Sequence, residues 1–186
     1  AISLQPDYID AYYNLAITHK AFNKLNASAK IYKKIISVNP NFSEAHNNLG
    51  NIFEELDKTS DAIKSYKMAI VINPNFAEAH NNLGNALKDL EWFEDALKSY
   101  EKAISIKPNF SEAYYNSGLV FERLRRHEDA VLAYQNAITI KPDFAEAYNN
   151  LGSCFTVLGR MDEAIDCFKK AISIKPDNEE ANKNLG

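Results

Sequence analysis

Between residues 83 and 104 apolar side chains recur every three or four positions: Leu83, Leu87 and Leu90, then Ala96, Tyr100, Ala103 and Ile104, with an interruption around residues 91 to 93. This spacing puts them on one face of each of two amphipathic helices joined by a short turn. The pattern returns along the chain, punctuated by Pro6, Pro40, Pro74, Pro108, Pro142 and Pro176 at intervals of 34 residues. Proline lacks an N–H and clashes with the preceding turn, so each one marks a break between helices. A constant interval of this size is the signature of a solenoid. The pattern predicts first helices over 9–22, 43–56, 77–90, 111–124 and 145–158, and second helices over 26–39, 60–73, 94–107, 128–141 and 162–175. Each is about 14 residues, or about 21 Å, long at a rise of about 1.5 Å per residue.

After each proline stands Asn or Asp, then usually an aromatic residue, then an acid, as in Pro40-Asn41-Phe42-Ser43-Glu44. That order predicts a helix start in which the amide or carboxylate caps the first turn. Asp10, Glu44, Glu78, Glu112, Glu146 and Glu180 would then reach back as the second half of a capping box. Small residues recur where helices must approach closely: Gly50, Gly84, Gly118 and Gly152 in the first helices, Ala62, Ala96, Ala130 and Ala164 in the second. Glycine inside a helix costs about 1 kcal/mol against alanine, so its recurrence asks for a packing reason. Facing them, Leu49, Leu83, Leu151, Phe53, Phe121, Phe155 and the column Tyr32, Tyr66, Tyr100, Tyr134, Phe168 are the expected core. The N-terminal unit departs most, with Ala16 in the glycine column, Ser28 and Ile35 in the alanine columns, and His19 at an apolar position, so looser packing is expected there. Ser117 replaces the leucine of its column, a defect costing on the order of 1 kcal/mol or more unless the hydroxyl is hydrogen-bonded.

These marks divide residues 1–186 of a single solenoid into five full repeats, 9–42, 43–76, 77–110, 111–144 and 145–178, with 1–8 the end of a preceding repeat and 179–186 the start of a truncated sixth. The chain resembles the tetratricopeptide repeat family. From Pro74 on, His80, Leu83, Gly84, Leu87, Ala96, Tyr100, Ala103 and Pro108 take that family's motif positions, and several of them agree across five consecutive units. The resemblance implies an all-α, right-handed superhelical solenoid of antiparallel helix pairs. It also implies binding on a concave inner face lined by the first helices.

On that face the resemblance places Asn14, Asn48, Asn82, Asn116, Asn150 and Asn184, flanked by Tyr13, Asn47, Asn81, Tyr115 and Asn149. One turn further on come Ile17, Asn51, Asn85, Leu119 and Ser153. Asparagine offers an acceptor oxygen and two donor hydrogens, so a ladder of them can pair with the amides of an extended peptide whatever its side chains. The repeat region of O-linked N-acetylglucosamine transferases is similar in carrying such a ladder. Ancestry by duplication is the competing reading. Against it, the first unit has lost its glycine and both alanines yet keeps Asn14, and asparagine is a mediocre helix former.

Composition narrows the partners. Hydrophobic residues make up 46% and charged residues 25% of the chain, as in a folded domain. A formal net charge of -4 supplies no broad footprint for a phosphate backbone, so nucleic acid is not expected. No apolar run is long enough for a membrane span. Cys154 and Cys167 are too few for a disulfide framework and read as reduced core thiols, which favours a reducing, cytoplasmic compartment. His46 and His80 read as packing residues, and no His or Cys pair has the spacing of a metal site. Arg123, Arg125, Arg126 and His127 read as a solvated turn whose cations complement the helix macrodipole. The acidic column reads as capping, and the lysine-rich clamp by which some family members hold a carboxylate terminus has no counterpart. No nucleophile–base set or phosphate loop is present, so neither an enzyme nor a cofactor is expected.

The expected function is a protein–protein interaction scaffold that holds an extended peptide or partner segment in the concave groove. Two alternatives stand beside it: the substrate-recruiting part of a larger glycosyltransferase, and a structural array that self-associates end to end through its unfinished terminal half-repeats.

Overall fold

The computed structural model describes residues 8–177 and 179–185. Among them are eleven α-helices: α1 (Ile9–Ala21), α2 (Leu25–Val38), α3 (Ser43–Glu55), α4 (Thr59–Ile72), α5 (Ala77–Asp89), α6 (Phe93–Ile106), α7 (Ser111–Arg123), α8 (His127–Ile140), α9 (Ala145–Val157), α10 (Met161–Ile174) and α11 (Glu179–Leu185). None is long and apolar enough to cross a membrane. The chain is an all-α array of paired helices in two compact units, divided between Leu90 and Glu91. In the first unit α1 pairs with α2 and α3 with α4, while α2 packs on α3 and α4 on α5. In the second α7 pairs with α8 and α9 with α10, while α6 packs on α7, α8 on α9 and α10 on α11. The half-repeat expected over 1–8 lies, apart from Tyr8, outside the described residues, and with it the N-terminal end on which end-to-end association was expected.

The turns inside the pairs share one design. Asn23, Asp57, Arg125 and Gly159 adopt left-handed backbone conformations, with φ between 54° and 73°. At the end of α3 the Lys58 N–H donates to Phe53 O at 2.8 Å and the Asp57 N–H to Glu54 O at 2.9 Å, the paired bonds of a Schellman motif. The bonds Arg126 to Phe121 (2.8 Å) and Arg125 to Glu122 (2.9 Å) repeat it after α7. Only Gly159 takes this conformation without steric cost. At the other three the two backbone bonds compensate.

The helix starts correct the capping expectation. The N-cap residues of α3, α5, α7 and α9 are Phe42, Phe76, Phe110 and Phe144, and none makes a side-chain cap bond. The Asn or Asp before the aromatic stands one residue too early to cap. Glu44 and Glu112 instead accept from the neighbouring hydroxyls of Ser43 and Ser111 at 2.9 and 3.0 Å. They remain in the first turn, where a negative charge is favoured by the helix dipole. The two histidines pack as expected: His46 Nε2 donates to Pro40 O and His80 Nε2 to Pro74 O, each at 3.0 Å, tying the first helix to the proline turn before it.

The recurring glycines meet the aromatic column. A Cβ on Gly50 would collide with the Tyr66 ring, one on Gly118 with the Tyr134 ring, and one on Gly152 would stand 2.6 Å from Phe168. In the first unit α1 buries only Ala16, yet the substituted positions Ala16, Ser28 and Ile35 are each fully buried, and the Ser28 hydroxyl donates to Ala16 O at 2.8 Å.

Ser117 is buried and satisfied, its hydroxyl donating to Ala113 O at 2.8 Å. Beside it opens a mostly apolar cavity of about 320 Å³, whose walls include Leu97, Ile104, Phe121 and Leu132. Ser117→Leu should therefore stabilise the fold by about 1 kcal/mol, since the buried aliphatic area outweighs one lost hydrogen bond. Urea unfolding checks this, and a lower midpoint would mean that the space cannot admit the side chain.

Candidate functional site

In the first unit α1, α3 and α5 carry Asn14, Asn48 and Asn82. Asn14 is exposed, and Ile17 one turn on is 45% exposed. The other two asparagines are engaged with the protein itself. Asn48 Nδ2 donates to the Tyr13 hydroxyl at 2.7 Å and the Tyr32 hydroxyl at 3.3 Å. Asn82 Nδ2 donates to Asn47 Oδ1 and Asn51 Oδ1, both at 3.1 Å, and Asn51 Oδ1 also accepts from the Tyr66 hydroxyl at 2.9 Å. Each of these amides thus reaches from one first helix to the one before it. Asn47 and Asn81 are only 6% exposed, whereas Tyr13, Asn51 and Asn85 are half-buried.

Two adjoining cavities open on these residues. One of about 230 Å³ is lined by Ile17, Lys20, Tyr32, Asn48 and Asn51. The other, of about 260 Å³, shares Lys20 and Asn51 and adds Glu54, Glu55, Tyr66, Asn82 and Asn85. The Lys20 ammonium pairs with Glu55 at 2.7 Å across α1 and α3. Burial, then the neighbouring Tyr13, pushes the Tyr32 hydroxyl up to about 12, against a smaller opposing effect of the Asn48 amide. Burial also raises Glu54, reinforced by Asp89 and opposed by Lys88.

The second unit repeats the scheme with different chemistry. Asn116, Tyr115 and Leu119 of α7 are half-buried, as are Asn150 and Ser153 of α9, while Asn149 is only 2% exposed. Asn150 Nδ2 donates to the Tyr115 hydroxyl at 3.3 Å, and Asn184 of α11 donates to Asn149 Oδ1 at 3.3 Å. The Tyr115 ring leans on Phe144 with centroids 4.7 Å apart. A cavity of about 130 Å³ is lined by Tyr115, Glu146, Asn149, Asn150, Lys175 and Glu180. Glu122 accepts from the Tyr134 hydroxyl and, at 3.4 Å, from Cys154 Sγ. Burial and this carboxylate push the Cys154 thiol up, and both cysteines are free. Arg126 stacks on Phe121 at 4.6 Å and donates to Asp129 at 2.8 Å, so it is spent within its own turn. No group of three or more His, Cys, Asp or Glu among the described residues is placed to hold a metal ion.

The structure thus brings the predicted columns together as inter-helix hydrogen bonds and sinks Asn47, Asn81 and Asn149 below the surface. It also adds a column the sequence reading passed over: Lys20, Glu54, Lys88, Glu122 and Thr156, three residues beyond Ile17, Asn51, Asn85, Leu119 and Ser153. The same 34-residue register would have found it.

Comparison with known proteins agrees with this architecture. The family described as TPR repeat matches residues 50–91, 84–124 and 126–155, and models described as Tetratricopeptide repeat match 9–42, 31–64 and 145–178. No curated protein sequence matches the chain. Among solved structures, MamA is 30% identical, with 87% of this chain and 94% of that chain covered and a TM-score of 0.80. MamA from Desulfovibrio magneticus RS-1 (19% identity; 95% and 99% covered; TM-score 0.82) shares the fold. So does YrrB, described as a TPR protein with an unusual peptide-binding site (22% identity; 92% and 89% covered; TM-score 0.75).

Proposed function

Because the chain belongs to the tetratricopeptide repeat family, we propose that it is a protein–protein interaction scaffold whose first helices hold an extended peptide or partner segment. The observation that carries this reading is the pair of adjoining cavities in the first unit, lined by Asn48, Asn51, Asn82 and Asn85. The role of the asparagines is narrower than a free ladder. The Nδ2 groups of Asn48 and Asn82 already serve the fold, so those residues offer a peptide N–H their remaining carbonyl oxygens. In the first unit exposed Asn14 keeps both functions, Ile17 adds apolar contact and Tyr13 completes the proposed surface; the second unit has a proposed surface of its own in Tyr115, Asn116, Leu119 and Asn150. The repeat register 9–42 to 145–178 sets their spacing within this proposal. The unusual peptide-binding site ascribed to YrrB supports the class of ligand, since that protein shares this fold. The likeness to the repeats of O-linked N-acetylglucosamine transferases supports peptide recruitment and adds no chemistry of its own.

A random dodecapeptide library presented to the chain should yield binders. Their affinity should fall about tenfold when Asn14→Ala and Ile17→Ser are combined, because contact residues of the first unit are changed without touching an inter-helix hydrogen bond. Lys67→Ala and Lys102→Ala, on second helices, should leave the affinity within about twofold. The reverse pattern, or a library with no binders, would overturn the proposal.

A further inference from the structure

Glu54 and Glu122 stand two repeat lengths apart at the same register, yet their carboxylates are treated differently. In the second unit both oxygens of Glu122 are held, one by the Tyr134 hydroxyl and one by Cys154 Sγ. In the first unit neither contact forms. Ala86 replaces the thiol, and Tyr66 turns its hydroxyl to Asn51 Oδ1, an acceptor for which the second unit has Leu119. Glu54 Oε1 is buried and has no hydrogen-bond partner, and Glu54 is one of the residues that line the 260 Å³ cavity. A buried carboxylate oxygen without a donor costs more than an ordinary lost hydrogen bond, and the cavity beside Glu54 gives a donor room to approach its carboxylate.

The surrounding groups specify what that donor is. The side-chain donors of the cavity wall are largely committed: Asn82 Nδ2 to Asn47 and Asn51, Tyr66 to Asn51, Lys20 to Glu55. Lys88, whose charge acts on Glu54, pairs with Asp89 at 3.5 Å. Glu54 and Glu55 outnumber the single ammonium of Lys20 in the lining, so the cavity is electronegative.

We propose that this cavity receives a basic side chain, arginine or lysine, of the peptide bound along the first helices, with Glu54 as its anchoring acceptor. The inference rests on the peptide-binding reading above and narrows its ligands to segments carrying a cation at one fixed position. A guanidinium suits such a site best, since it supplies several N–H donors in one plane and is weakly hydrated.

The test uses dodecapeptides selected on the wild-type chain from a random library. One position should take Arg or Lys in most of them. Exchanging that residue for citrulline or norleucine should weaken binding about tenfold or more in the wild type, and less than about twofold in Glu54→Gln, a cycle that isolates the contact. Lys20→Met, which removes the competing ammonium, should strengthen binding of the same peptides severalfold and gives an independent readout should Glu54→Gln unfold. Binders without a fixed basic position, together with unchanged affinity in both variants, would overturn the cavity assignment and leave the peptide-binding reading standing. A library that yields no binder would sink both.

Discussion

Gly152→Ala should destabilise the chain by about 2 kcal/mol, even though alanine is the better helix former by about 1 kcal/mol. The added methyl would lie 2.6 Å from Phe168 Cε1 and 2.9 Å from both Cδ1 and Cζ. Phe168 is 3% exposed and packed among Leu151, Cys154, Phe155 and Ala164. The ring cannot retreat without opening the core between α9 and α10, and overpacking of this kind typically costs about 1–3 kcal/mol. Phe168→Leu removes the ring atoms that collide. In that background Gly152→Ala should cost less than about 0.5 kcal/mol, and the difference between the two costs is the coupling read by urea unfolding of the four proteins. If alanine stabilises α9 in the wild-type background, the glycine column does not exist for close approach.

Asn82→Ala should cost about 2 kcal/mol of unfolding free energy, since it deletes two hydrogen bonds and leaves the buried Asn47 oxygen without its donor. The amide of Asn82 links α5 back to α3, through Asn47 and Asn51 at 3.1 Å each. An asparagine kept only by ancestry would lose a few tenths of a kcal/mol at such a position, or gain from alanine's higher helix propensity. Because unfolding of repeat arrays need not be two-state, hydrogen exchange at α3 and α5 amides should accompany the urea curve and show the loss concentrated there.

The proline interval and the apolar spacing carried most of the fold. Helix ends came out within about a residue or two, and the small and aromatic columns meet as the spacing required. The second helices begin one residue earlier than expected, at Thr59 rather than 60 and at Phe93 rather than 94. The cause is local: the left-handed Asp57 leaves only Lys58 to serve as the N-cap of α4. No glycine announces that conformation at Asn23, Asp57 or Arg125, so composition hides a turn that backbone bonds impose. The N-cap lies one residue later than the capping-box pattern places it, because the aromatic after Asn or Asp is itself the N-cap.

The site was legible as columns but not as bonds. Spacing places Asn48 and Asn82 on one face, whereas the direction of each amide depends on whether a tyrosine or another asparagine stands on the preceding helix. The contrast between Glu54 and Glu122 lies further from the sequence. It turns on Ala86 against Cys154 and on Asn51 against Leu119, pairs that become meaningful only once the contact partners are known.

The central claim is that the first-helix face is where a partner segment lies. Chemical-shift mapping of the labelled chain with a selected dodecapeptide tests it most directly, since it reports every asparagine side-chain amide at once. Shifts are expected at the Nδ2 groups of Asn14, Asn48, Asn82, Asn116 or Asn150 and along α1, α3, α5, α7 or α9. Shifts confined to the second helices α2, α4, α6, α8 and α10, with those amides unmoved, would contradict it.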